Sequence, residues 1–307
     1  MSTQNARLAA LGYDEATESE RKALEILDSA LPSARPISTP AEAAAALNDL
    51  CILDAKERGE AGSFLWWFWD MVHELARLLP HEDTDAHDRL AAVVAALHSL
   101  PANRTVRLGG QWGEAGEEDI APWKGLPMFG NTLREKMDDS DSRASSKAEK
   151  KQRYINLQTY AARVAGYGIV PLEMYAIWAL VDALEGTMKR VRGAPDEVDV
   201  SPASIEDLPT KMACAAAWMI HAGHVLHGRD EEVSGATAGP LWMIQDKKEA
   251  AKLGRRLKGT NGLCPERWAM WKGRFAAVRD AGEGVDDTAR EQAGAAIARM
   301  EEVEKGS

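Results

Sequence analysis

Residues 64–79 read FLWWFWDMVHELARLL. Five of the first seven side chains are aromatic, and Trp66, Trp67 and Trp69 are three of the ten tryptophans of the chain. At helical spacing Phe64, Phe68, Met71 and Leu75 share one face. Leu65, Trp69, Val72 and Ala76 share the next, while Trp66 and Trp67 point elsewhere. A helix that is apolar nearly all round is a central helix, packed on several sides. A membrane span is excluded by length, because Glu60 precedes the stretch and Asp70, His73 and Glu74 interrupt it.

Helix signals continue outward on both sides. Thr17-Glu18-Ser19-Glu20 is a capping-box pattern opening a helix that runs to about Ala30. Ser38-Thr39-Pro40 places a cap before a proline at the first helical position, and Gly59 supplies the stop. Pro80 ends the aromatic helix, and Asp83 to Asp85 cap a helix that ends before Pro101. Residues 101–131 read as a long loop, followed by a short helix around NTLREKM. Helical periodicity returns in QRYINLQTYAARVAGYG, in a long segment PLEMYAIWALVDALEGTMKRV from Pro171, in TKMACAAAWMIHAGHVLHG, and in two C-terminal segments. The expected fold class is all-α: a single irregular multi-helix domain of about ten helices with no sheet. It spans 16–307 after a flexible segment 1–15, with a polar insert near 138–150, DDSDSRASSKAEKK.

The 307 residues carry a formal charge of −11, with 28% charged and 45% hydrophobic side chains. That is a globular composition. The acidic balance argues against nucleic acid and against an anionic membrane surface. Basic runs at Lys147–Lys151–Arg153 and Arg255–Arg256–Lys258 sit on helical patterns with acids nearby. Cys51, Cys214 and Cys264 are far apart and fit neither a disulfide framework nor a zinc knuckle. With no apolar leader at the N-terminus, the expected location is cytoplasmic.

Candidate chemistry is sparse. His221, His224 and His227 in HAGHVLH lack the glutamate of a metalloprotease helix, so no metal is expected and His221 is at most a general acid or base. Asp182 and Glu185 lie in an apolar helix and need a cation, for which Arg163 is the natural partner. Asn156, Tyr160 and Arg163 share one helical face, so Asn156, Arg163 and Glu185 form a candidate buried polar cluster, read either as a structural ion pair or as the polar end of a pocket. Trp66, Trp67, Trp69, Tyr160, Trp178 and Trp218 are the candidate pocket wall, against the plainer reading of core packing. Phosphate-binding glycine loops and the hydrolase nucleophile elbow are absent from the sequence, and no cofactor is expected.

The motifs WKGLPMFGNTLRE, INLQTYAARVAGYGI, YAIWALVDALE, AAAWMIHAGHVLH, GPLW and ERWAMWKGRFAAV occur in that order. With FWDMVHELARLLP and HDRLAAVVAALHSLP before them, the chain resembles the fungal family of unknown function numbered 3632, over roughly residues 45–300. The resemblance implies a fungal helical protein and an association with natural-product genes. The sharper functional expectation is therefore a cofactor-independent cyclase or pericyclase. It would fold an apolar polyene or terpenoid-like small molecule in an aromatic cavity, with Asn156, Arg163, Glu185 and His221 as polar catalytic groups. The alternative is a non-catalytic helical protein-interaction module, and a homodimer through the terminal helices is a third reading.

Overall fold

Capping chemistry sets most helix starts. In the computed structural model, which describes residues 8–31, 37–112, 118–138 and 144–306, Thr17 and Thr39 both form complete capping boxes, with Glu20 and Glu42 respectively. They open α1 (Glu18–Ala30) and α2 (Pro40–Arg58), and α2 stops at Gly59 in the left-handed conformation that a glycine adopts without strain. The chain forms two compact units, Met1–Val170 and Pro171–Ser307.

In the first unit, α1 packs on α2, and α2 on α4 (Thr84–His98). The aromatic helix α3 (Gly62–Leu78) is held by α5 (Phe129–Asp138) and α6 (Lys147–Gly166). Phe64, Leu65, Phe68, Trp69, Met71, Val72, Leu75 and Ala76 are all buried, as the spacing predicts for a central helix. Rings close around them: Trp123 stands edge-on to Phe68 and Trp69 at 5.4 and 5.8 Å, and Phe129 to Trp69 at 5.1 Å. The loop before α5 bends through Leu126 and Met128, both with positive φ. Such backbone persists only where surroundings hold it, and here Trp69 Nε1 donates to Pro127 O at 2.9 Å.

The same helix buries charge. Glu74 is fully buried and meets Arg153 of α6, Lys136 of α5 at 3.4 Å and Arg77 at 3.4 Å, while Lys136 also reaches Asp70 at 2.8 Å. Removing these groups from water is tolerable only because they pair with one another. The cluster ties three helices at one register.

The second unit is built from α7 (Glu173–Leu184), α8 (Leu208–Leu226), α9 (Lys247–Leu253), α10 (Pro265–Arg279) and α11 (Asp287–Lys305). α8 is buried on most sides and packs on α7 and α11, and α10 packs on α11 and on α7.

Several expectations need correction. The described residues contain eleven α-helices, one 3-10 turn at Pro202–Ser204, and two small antiparallel sheets. Strand β1 (Val106–Leu108) pairs with β2 (Glu118–Ile120), and β3 (Thr187–Lys189) with β4 (Glu197–Asp199). Three-residue strands are too short to display the period-2 alternation that marks a strand. The long segment from Pro171 ends as a helix at Leu184, because Glu185 caps it, Gly186 turns with φ 74°, and Thr187 starts β3. Residues 8–13 belong to the stretch read as a flexible leader, yet Leu8 and Leu11 are buried and the Tyr13 hydroxyl donates to Trp67 O at 2.9 Å. Residues 139–143 of the polar insert lie outside the described residues. Ser146 caps α6 within the insert itself, so the stretch from Lys147 on is helical. No described helix is long and apolar enough to cross a membrane.

Candidate functional site

Glu185 stands at the C-terminus of α7 and is fully buried. Its Oε1 accepts from Arg267 Nε and from Trp271 Nε1, each at 2.8 Å, and its Oε2 accepts from the Gly239 amide at 2.6 Å. Arg267 and Trp271 are one helical turn apart on α10, so both reach the same carboxylate. Arg267 is itself fully buried. Its other nitrogens donate to Gly262 O at 2.9 Å and Thr237 O at 2.7 Å, and its guanidinium lies over the rings of Trp271 and Trp242 at 5.0 and 5.7 Å. Every strong donor and acceptor of the pair is thus engaged, which is the condition for a buried ion pair to be tolerated. Gly239 has no room for a side chain, since a Cβ there would lie 2.4 Å from Glu185 Cβ.

The pair fastens both roots of the loop 237–262. The Leu241 amide donates to Glu185 O at 2.9 Å, and buried Trp242 donates to Thr260 O at 3.0 Å. Outward from Trp242 the two arms pair again: the Ile244 amide donates to Arg256 O at 2.9 Å, and Met243 opposes Leu257. Between the arms sits α9, capped by Asp246 and ended by Gly254 in the left-handed region. This arrangement leaves an open cleft of about 670 Å³. Met243, Ile244, Ala250 and Ala251 supply its apolar wall, and Lys247, Arg255 and Arg256 its charge. A second open cleft of about 360 Å³ shares Met243, Ile244, Gln245 and Arg255 with it and extends to Val198 and Leu253. No carboxylate, imidazole, thiol or hydroxyl lines the larger cleft. It offers apolar contact and cationic hydrogen-bond donors.

The sequence candidates fall elsewhere, with one exception. Glu185 anchors the cleft loop, but its partner is Arg267 and not Arg163. Arg163 pairs instead with Asp88 of α4 at 2.5 Å. Asn156 accepts from the His81 amide at 2.9 Å and donates to Arg77 O at 2.8 Å, closing the end of α3. His221 is half-buried on α8 and lines neither cleft. Among the described residues, no group of three or more His, Cys, Asp or Glu could hold a metal ion. Of the candidate wall, Trp69, Tyr160 and Trp218 are fully buried. Trp66 and Trp67 are half-buried, with Trp66 against Trp112 at 5.3 Å, and Trp178 is half-buried and donates to Gly235 O at 3.0 Å. None of the six lines either cleft.

Two features of consequence are not singled out by the sequence. Arg267 is hidden inside a helical pattern, although its place beside Trp268 and four residues before Trp271 marks a cation among rings. The run Arg255–Arg256–Lys258 is expected on a helical pattern with acids nearby. The helix stops at Leu253, and no carboxylate among the described residues pairs with Lys247, Arg255 or Arg256.

YAIWALVDALE, GPLW and ERWAMWKGRFAAV therefore meet at one place, the Glu185–Arg267 pair and the loop it holds. No curated protein and no solved structure matches the chain. A family model described as "Protein of unknown function (DUF3632)" matches residues 69–275, more than half of the sequence, and the chain belongs to that family.

Proposed function

We propose that this chain is a non-catalytic protein-interaction module whose docking surface is the cleft formed by 243–256. One observation carries the reading: the cleft combines an apolar wall with unopposed cations and lacks a carboxylate, imidazole, thiol or hydroxyl. The side chains nominated for catalysis support the same reading, because Asn156, Arg163 and Glu185 spend their hydrogen bonds on holding helix ends and loops. Half of the aromatic wall expected of a polyene-folding enzyme is consumed in packing, with Trp69, Tyr160 and Trp218 inaccessible. The open shape suits a segment of another protein, since sites for small molecules enclose most of the ligand surface.

The test is a selection of displayed random peptides of about twelve residues on the full chain, with Ala250→Trp as the control that fills the cleft. Enrichment of peptides that bind the native chain and lose binding to Ala250→Trp is the expected result. Selection that yields no cleft-dependent peptide overturns the proposal.

A further inference from the structure

We infer that the segment this cleft takes is acidic as well as apolar: a short peptide stretch in which aspartates or glutamates alternate with large aliphatic side chains. The inference rests on the docking reading above and adds the chemistry of the occupant. Residues 246–258 carry Lys247, Lys248, Lys252, Arg255, Arg256 and Lys258 against only Asp246 and Glu249. Asp246 is already committed, accepting from the Lys248 and Glu249 amides as the cap of α9. A cationic island is thereby exposed on a chain whose formal charge is −11. Fields of that kind are screened within about 8 Å at physiological salt, so an approaching segment senses the island and not the acidic remainder.

Two adjacent exposed arginines present planar forks, which carboxylates engage in bidentate fashion. A nucleic-acid strand would ask for aromatic side chains on which bases stack, and no aromatic residue lines either cleft. Meanwhile Met243 and Leu253 stay exposed at 39% and 49%, and the smaller cleft, which also carries Asp246 and Glu249, continues an apolar strip of Ile244 and Leu253 to Val198. Apolar anchors settle on that floor while acidic neighbours meet Lys247, Arg255 and Arg256 on the rim. Charge complementarity of this type governs which partner is admitted more than how tightly it is held.

The experiment uses the full chain and the peptides recovered from the random library. The leading peptide is synthesised twice, once as found and once with every Asp and Glu replaced by Asn and Gln, and both are titrated by fluorescence anisotropy. The expected result is that acidic residues are over-represented among cleft-dependent peptides and that the acidic form binds about tenfold or more tighter than its amide counterpart. The preference collapses when salt rises from about 50 to about 500 mM. Arg255→Glu with Arg256→Glu removes the same tenfold while leaving the urea midpoint unchanged, because both side chains are exposed. Cleft-dependent peptides with no acidic bias, or equal binding of the two forms, overturn this inference and leave the docking reading standing. Absence of any cleft-dependent peptide overturns both. Equal binding of a simple fatty carboxylate in competition with the peptide would assign the site to a free amphipathic anion and also overturn it.

Discussion

Replacing Arg267 by methionine keeps the helix-forming stem and removes the guanidinium. Glu185 then remains fully buried with Trp271 and the Gly239 amide as donors but no counter-charge. Breaking one side of a buried pair costs about 3–5 kcal/mol, because the survivor's desolvation is no longer offset. Gly262 O and Thr237 O each lose a donor as well, so the upper end of that range is expected. Glu185→Gln fails for a different reason. The amide oxygen can face Arg267 and Trp271, but its NH2 then points at the Gly239 N–H, donor against donor. A similar cost of about 3–5 kcal/mol follows.

Removing both charges together, Glu185→Leu with Arg267→Met, leaves no orphaned ion. The double variant should cost at least about 2 kcal/mol less than the sum of Arg267→Met and Glu185→Leu measured singly. Two compact units need not unfold in one step, so the measurement is hydrogen exchange resolved over 171–307 through a urea series. Protection within 237–262 should fall first, since the pair fastens that loop at both roots. A cost below about 1 kcal/mol for Arg267→Met, or strict additivity in the double variant, would refute the keystone role of the pair.

Three further outcomes are expected. Burial pushes His73 down to about 3 and His87 down to about 4. The unfolded chain therefore takes up protons below about pH 6.5 that the native rings refuse, and stability of the first unit falls from there toward pH 4 by about 1.4 kcal/mol per pH unit for each ring. His73→Phe should remove one proton from that slope in acid-denaturation curves, and an unchanged slope would contradict its burial as a neutral imidazole. Tyr160 is fully buried and its hydroxyl has no hydrogen-bond partner among the described residues. Tyr160→Phe should thus be neutral or stabilising by up to about 1 kcal/mol in urea melts, and a loss larger than that would reveal a partner for the hydroxyl. Gly239→Ala forces a methyl to 2.4 Å from Glu185 Cβ and should cost about 1–3 kcal/mol on the same assay, with peptide binding at the cleft weakened in parallel.

How much of this was legible depends on the range of the signal. Capping boxes at Thr17 and Thr39 and the stop at Gly59 are local chemistry, and they appear where the residues place them. The aromatic helix was legible for the same reason: period 3.6 with apolar residues on nearly every face leaves only burial. The small sheets were not legible, because pairings such as Met188 with Val198 span ten positions with three-residue strands at each end. Partner choice was the least legible. Arg163 lies closer to Glu185 in sequence than Arg267 does, yet Arg267 is the partner. Sequence distance carries no weight once a helix presents a cation flanked by rings. Trp242 and Trp271 lie against that guanidinium, which is fully buried, so its charge needs a partner inside the unit. The same logic separates the tryptophans from the site. Large rings were drawn into cores because burying them is the strongest single contribution a side chain can make, about 3 kcal/mol or more when fully covered. The surface proposed for docking is instead the modest set of Met, Ile, Ala, Leu and Arg around α9. That set has no distinctive motif, and only the loop that Glu185 and Arg267 hold brings it together.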